Sequence, residues 1–236
     1  VKFLDHDAAL VSMADKMAEL KPHLRGWLHA GSVPLVLAAG VVLIVLSPTT
    51  ATKVGSAVFI ASALMLFGVS AIYHRGTWQP AIWALLRRLD HSNIFILIAG
   101  SYTAFAMLLL HGDARLVLLV GIWTTAVLGV VFRVFWIGAP RWLYTPIYIG
   151  MGWTAVFFIP QFIDGAKSLS TPIAIATLVL VVVGGLLYTL GGVTYALKRP
   201  NPKPEWFGFH EVFHTFTLLA FAAHYVAVSL ATYDLR

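Results

Sequence analysis

Pro172-Ile-Ala-Ile-Ala-Thr-Leu-Val-Leu-Val-Val-Val-Gly-Gly-Leu-Leu-Tyr-Thr-Leu-Gly-Gly-Val-Thr-Tyr195 contains no charged side chain. A helix needs about 20 apolar residues to cross the hydrocarbon of a bilayer, so the run is long enough to span one. Inside lipid the backbone must satisfy its own hydrogen bonds, which makes such a run helical. The same signature recurs at 27–46, 54–73, 93–110, 116–135, 142–163 and 210–232. Composition agrees: 59% of the 236 residues are apolar and 11% charged, with mean hydropathy +0.84. A soluble domain cannot hide that much apolar surface. The expected fold is all-α, a polytopic integral membrane bundle of seven transmembrane helices. Residues 26–236 form that domain. Residues 1–25 form a cytoplasmic N-terminal segment, in which Leu10, Met13, Met17 and Leu20 carry the stripe of an amphipathic surface helix. A second interfacial helix is expected at 78–88, a stretch too short and too basic to cross.

Lysine and arginine set the orientation. The N-terminal segment and the even-numbered loops hold twelve of them, from Lys2 to Lys203, while Lys53, Arg115, Lys167 and Arg236 fall on the other side. This places the N-terminus in the cytoplasm and the C-terminus outside, in the cell membrane and in the compact manner of a bacterial plasma-membrane protein. The formal charge of +6 then faces anionic headgroups. Membrane lipids are the expected partners and nucleic acid is not, because the bases sit in short juxtamembrane loops. With no cysteine in the chain, disulfides, thiolate metal sites and thiol catalysis are excluded.

His210-Glu-Val-Phe-His214 opens the seventh span. Histidines four apart on a helix share a face with about 6 Å of rise between them, so both imidazoles can reach one ion. Span two ends at that same face with Ser70-Ala-Ile-Tyr-His74, and Asp90 lies beside the start of span three. Three spans thus bring His74, His210 and His214, with Ser70 and Asp90, to one depth. Three neutral imidazoles and a water make a four-coordinate zinc site of the open, catalytic type. The double charge of Zn2+ brings the pKa of such a water to roughly 7, and Asp90 is placed to act as general base. Ser70 supplies a supporting or substrate-polarising hydroxyl. Iron, cobalt or copper would also accept these ligands. Two alternatives stay open: the histidines meet headgroups only, or the His-Glu-x-x-His pattern is that of a metalloprotease with Glu211 as base. Glu211 otherwise faces headgroups or loop arginines. His29 and His224 read as hydrogen-bonding partners between helices, His91 points away from Asp90, and His6, His23 and His111 are solvated or interfacial.

Taken together, Ser70 with His74, Leu89-Asp-His-Ser-Asn-Ile94 with Ala99-Gly-Ser-Tyr-Thr103, and His210-Glu-Val-Phe-His214 are similar to the hemolysin III family. That family belongs with the progestin and adipoQ receptors, the adiponectin receptors among them, and more distantly with the alkaline ceramidases. The resemblance covers all seven spans. It implies zinc near the cytoplasmic face on His74, His210 and His214, with Asp90 contacting the zinc-bound water and Ser70 matching the family's serine. One departure stands out: the family's Glu-x-x-Asn-x-x-x-His motif entering span one keeps its histidine as His29, but has Arg25 in place of the asparagine and Pro22 in place of the glutamate.

Three functions follow as expectations. The first is a zinc hydrolase of a lipid amide or ester in the inner leaflet, ceramidase-like by resemblance. The second is a lipid sensor or regulator whose zinc is structural. The third, a pore, ranks last, since closely packed apolar spans with almost no mid-membrane charge offer no polar channel.

Overall fold

Residues 22–236 are described by a computed structural model, in which seven helical segments are long and apolar enough to cross a membrane. The expected amphipathic helix at 3–21 lies outside the described residues. In chain order the helices are α1 (Trp27–Leu46), α2 (Thr50–Arg75), α3 (Pro80–Leu109), α4 (Gly112–Phe135), α5 (Arg141–Gly152), α6 (Ile159–Ala166), α7 (Thr171–Leu197) and α8 (Phe209–Asp234). A 3-10 segment, Trp153–Phe158, joins α5 to α6 within the fifth span.

Two expectations about these elements change. Residues 78–88 do not form a separate interfacial helix. Pro80 sits in the first turn of α3, where its missing N–H costs nothing, and the helix runs unbroken through Asp90 to Leu109. Arg88 donates from Nε to the Val134 carbonyl at 3.0 Å and Arg87 lies 5.2 Å from the Trp83 ring, so the basic residues lean on neighbours and the helix continues past them. The fifth span is not one α-helix either. The Tyr102 hydroxyl, reaching across from α3, donates to the Gly152 carbonyl at 2.6 Å and accepts from the Ala155 N–H at 2.7 Å. It occupies the Gly152 carbonyl and the Ala155 N–H, which a continuous α-helix would have paired with the Val156 N–H and the Met151 carbonyl.

The core explains why α3 is central. Its most apolar window is 78% buried, against 11% for the sixth span. On one side it joins Leu43, Phe59, Phe67 and Phe221 from α1, α2 and α8. On the other, Phe95 and Tyr102 of α3 pack on Leu118 and Ile122 of α4 and Met151 of α5. α7 and α8 form the most extensive pair. Of the two glycine pairs in span six, three members permit close packing: Gly184 abuts the His224 ring, Gly191 meets Phe216, and Gly192 meets Ile149. Gly185 faces open space.

α2 and α3, which carry His74 and Asp90, pack tightly at Gly100. A Cβ there would overlap the Ser62 side chain and lie 3.3 Å from the Val58 carbonyl oxygen. Gly100→Leu is expected to cost about 1–3 kcal/mol through overpacking, read as a fall of several degrees in the thermal unfolding midpoint of the detergent-solubilised protein.

Candidate metal centre

The last turn of α2 holds His74 and the first two turns of α8 hold His210 and His214. All three are buried, with exposures of 8%, 9% and 2%. One nitrogen from each ring lies within 4.8 Å of the others, and the Nε2 atoms of His74 and His210 are 3.1 Å apart. The approach depends on Gly26. It holds a left-handed φ of 80° ahead of α1, and a Cβ on it would stand 2.9 Å from that of His74. Any other residue there would both strain the backbone and push the imidazole aside.

These residues fit a divalent cation. Tetrahedral zinc–imidazole bonds of 2.0–2.1 Å place ligand nitrogens about 3.3 Å apart, close to the 3.1 Å seen between His74 and His210. His214 Nδ1 is buried without a protein hydrogen-bond partner, an expensive state for a polar atom. All the donors are imidazoles, which leaves the charge of a bound ion intact.

Asp90 and Ser70 stand beside this trio. Asp90 Oδ2 lies 3.8 Å from His74 Nε2 and 3.7 Å from His91 Nδ1, with 13% of the side chain exposed. The buried Ser70 hydroxyl, one turn before His74, faces the Asp90 carboxylate without closing a full hydrogen bond. The sequence reading therefore names five residues that do meet.

The other ionisable residues sort by their partners. Glu211 is fully buried, ion-paired with Arg25 and accepting from the Gly208 N–H at 2.8 Å. It caps α8 and neutralises Arg25. Arg25 stands where the resemblance led one to expect asparagine, and it finds its acid on the seventh span. His29 does not hydrogen-bond between helices as expected: neither ring nitrogen has a hydrogen-bond partner, and the ring stacks on His214 at 3.9 Å between centroids. His224 does bridge two helices, through Nε2 to the Val181 carbonyl at 3.2 Å. His91 turns its ring toward the Arg87 carbonyl and the Tyr195 hydroxyl, at 2.9 and 3.2 Å.

Sequence reasoning missed Tyr195, which also meets the Tyr144 hydroxyl at 3.1 Å and has its ring 5.7 Å from that of His210. A lone tyrosine at the end of an apolar run carries no signal of that position. The cavity was missed as well. About 380 Å³ in volume, it has His29, Ser70, Asp90 and His214 at one end, continues between apolar walls that include Phe105, and reaches Tyr188 and His224. Val156 and Ile159 of the fifth span and Val182 of the sixth also line it, and each is about half exposed. The cavity thus opens sideways between the fifth and sixth spans.

This arrangement can be set beside known proteins. The chain matches the family described as haemolysin-III related over residues 17–225. It is 31% identical over 203 residues to the hemolysin-3 homolog of Bacillus subtilis, covering 85% of this chain and 89% of that protein. Hemolysin-3 of Bacillus cereus is 29% identical over 170 residues, 72% of this chain and 71% of its own. Progestin and adipoQ receptor-like protein 1 of Caenorhabditis elegans is 26% identical over 201 residues, 75% of this chain and 43% of that longer one. With the match running from residue 17 into the last helix, this multi-pass membrane protein belongs to the haemolysin-III related family.

Proposed function

We propose that the protein is a zinc-dependent hydrolase of a membrane lipid amide or ester, ceramidase-like in reaction class. The observation that carries this reading is the position of the site. Ser70, Asp90 and His214 close one end of an apolar cavity that opens sideways between two spans. A lipid would enter there without leaving the bilayer, and an acyl chain would fill the apolar length while its carbonyl lies among the polar groups.

A divalent ion on three neutral imidazoles supplies a Lewis acid that acidifies water and polarises a carbonyl. Zinc suits a nitrogen donor set and redox-neutral work. The chain's own residues do the rest. The Asp90 carboxylate, 3.8 Å from the His74 nitrogen that would hold the ion, stands where it would take the proton of the attacking water and pass it to the departing amine or alcohol. Ser70 turns its hydroxyl toward Asp90 and orients either that carboxylate or the substrate carbonyl. Apolar walls limit bulk water around both. Glu211, tied to Arg25 and to the α8 N-terminus, is not free to act as a protease-type base.

A second reading is favoured by one observation. Away from the histidine cluster α2 meets α8 where Phe59 and Phe67 pack on Phe221, and an ion on the three imidazoles would add a second tie between the two helices in a non-catalytic, lipid-responsive regulator. The charge bias further supports a plasma-membrane orientation with the site at the cytoplasmic face.

Purified wild-type protein is expected to carry about one zinc per chain by elemental analysis, and His74→Ala or His214→Ala to lose it, as three ligands are the minimum for such a site. Glu211→Gln should keep the metal and lower thermal stability. Asp90→Asn should keep the metal and lower hydrolysis of a ceramide and phospholipid panel by about 10²–10⁴-fold. Full turnover in that variant removes Asp90 from the mechanism, and no cleavage by a zinc-loaded wild type favours the regulator. Because the chain has no cysteine, single cysteines report topology cleanly. In intact cells a membrane-impermeant maleimide should label Lys53→Cys and leave Arg199→Cys unlabelled.

A further inference from the structure

Partway along the cavity from the candidate metal centre, two buried polar atoms lack partners. His224 Nε2 lies 3.2 Å from the Val181 carbonyl. A carbonyl only accepts, so Nε2 carries the proton and Nδ1 of the neutral ring presents a lone pair. That Nδ1 is buried with no hydrogen-bond partner, and so is the Tyr188 hydroxyl. The two rings meet edge to face, 5.5 Å between centroids, and both residues line the cavity. Their place is fixed by packing: Gly184 lies directly against the imidazole, and Phe105 meets it edge-on at 5.3 Å.

The hydroxyls between this point and the metal end are satisfied. Ser101 donates to the Leu97 carbonyl at 2.9 Å and Thr217 to the Phe213 carbonyl at 3.0 Å. The remaining unpartnered polar side chains of the cavity, on His29, Ser70, Thr145 and His214, belong to the metal end. The cavity therefore has two polar poles. Ten residues of α8 separate His214 from His224, a rise of about 15 Å.

The chemistry of the second pole is specific. One group accepts and the other can donate. A ketone would accept from Tyr188 and leave Nδ1 bare. A water would satisfy both and still point an O–H at apolar walls, two partners being the low end of what buried water finds. An alcohol on a carbon chain donates once to Nδ1, accepts once from Tyr188, and continues into apolar surroundings. We propose that the cavity selects an acyl chain bearing a mid-chain hydroxyl, held by His224 and Tyr188 about 15 Å from the carbonyl at the metal end. This deepens the lipid-hydrolase reading and rests on it for the cavity's occupant.

The test is binding, with no turnover required. Full-length protein in detergent is loaded with a dansyl-labelled fatty acid, which is then displaced by ricinoleate or by oleate, a pair differing only in the mid-chain hydroxyl. Ricinoleate is expected to bind about ten-fold more tightly, the return from two added hydrogen bonds. Tyr188→Phe keeps the ring and removes only the hydroxyl; it should bring ricinoleate close to oleate while leaving oleate affinity and zinc content as in wild type. Equal affinities in the wild type, or a preference that survives Tyr188→Phe, overturn the hydroxyl site and leave the lipid cavity standing. Displacement by neither acid, from protein of normal zinc content, overturns both.

Discussion

Two imidazole nitrogens 3.1 Å apart, on residues separated by 136 positions, are the constraint to which the rest of this bundle answers. The end of α2 and the beginning of α8 must meet inside an apolar environment, where a polar ring without a partner is costly. Gly26 clears the space beside His74. The Arg25–Glu211 pair neutralises two charges that would otherwise be stranded at the same level and fixes the start of α8. His29 lies flat on His214 and limits how that ring can turn. Each of these contacts has little purpose without the convergence of the three histidines.

α3 translates that local constraint into a whole structure. It carries Asp90 to the cluster, packs both halves of the core along its length, and lends Tyr102 to the fifth span. Asp90 is the eleventh residue of the helix, well inside it and not in a fraying first turn. A carboxylate there inherits the rigidity of the most buried helix in the bundle, which suits a group that must hold its distance from a neighbouring ring.

Hydrophobic length made the seven spans legible, because lipid tolerates few charges and no unpaired backbone. The histidine cluster was legible for the complementary reason: polar residues in an apolar segment are conspicuous, and the spacing of His210 and His214 on α8 puts two of the three on one face. What stayed hidden had no local mark. Arg87 and Arg88 interrupt hydropathy without interrupting a helix, so α3 read as two elements. Arg25 and Glu211 are 186 positions apart, with no periodicity to pair them. The 3-10 segment is dictated by Tyr102 on another helix, and a cavity is a shortage of side chains, which no stretch of sequence announces.

The 3-10 segment has a mechanical consequence. Such a helix rises about 2.0 Å per residue against 1.5 Å in an α-helix and is held by poorer hydrogen bonds. Trp153–Phe158 buries none of its residues and keeps its link to the sixth span through the Trp153 indole N–H and the Thr189 hydroxyl, at 3.0 Å. It has little buried packing to lose when it bends. Strain arriving from that side would fall on a compliant flank, while the helices bearing the histidines and Asp90 stayed still.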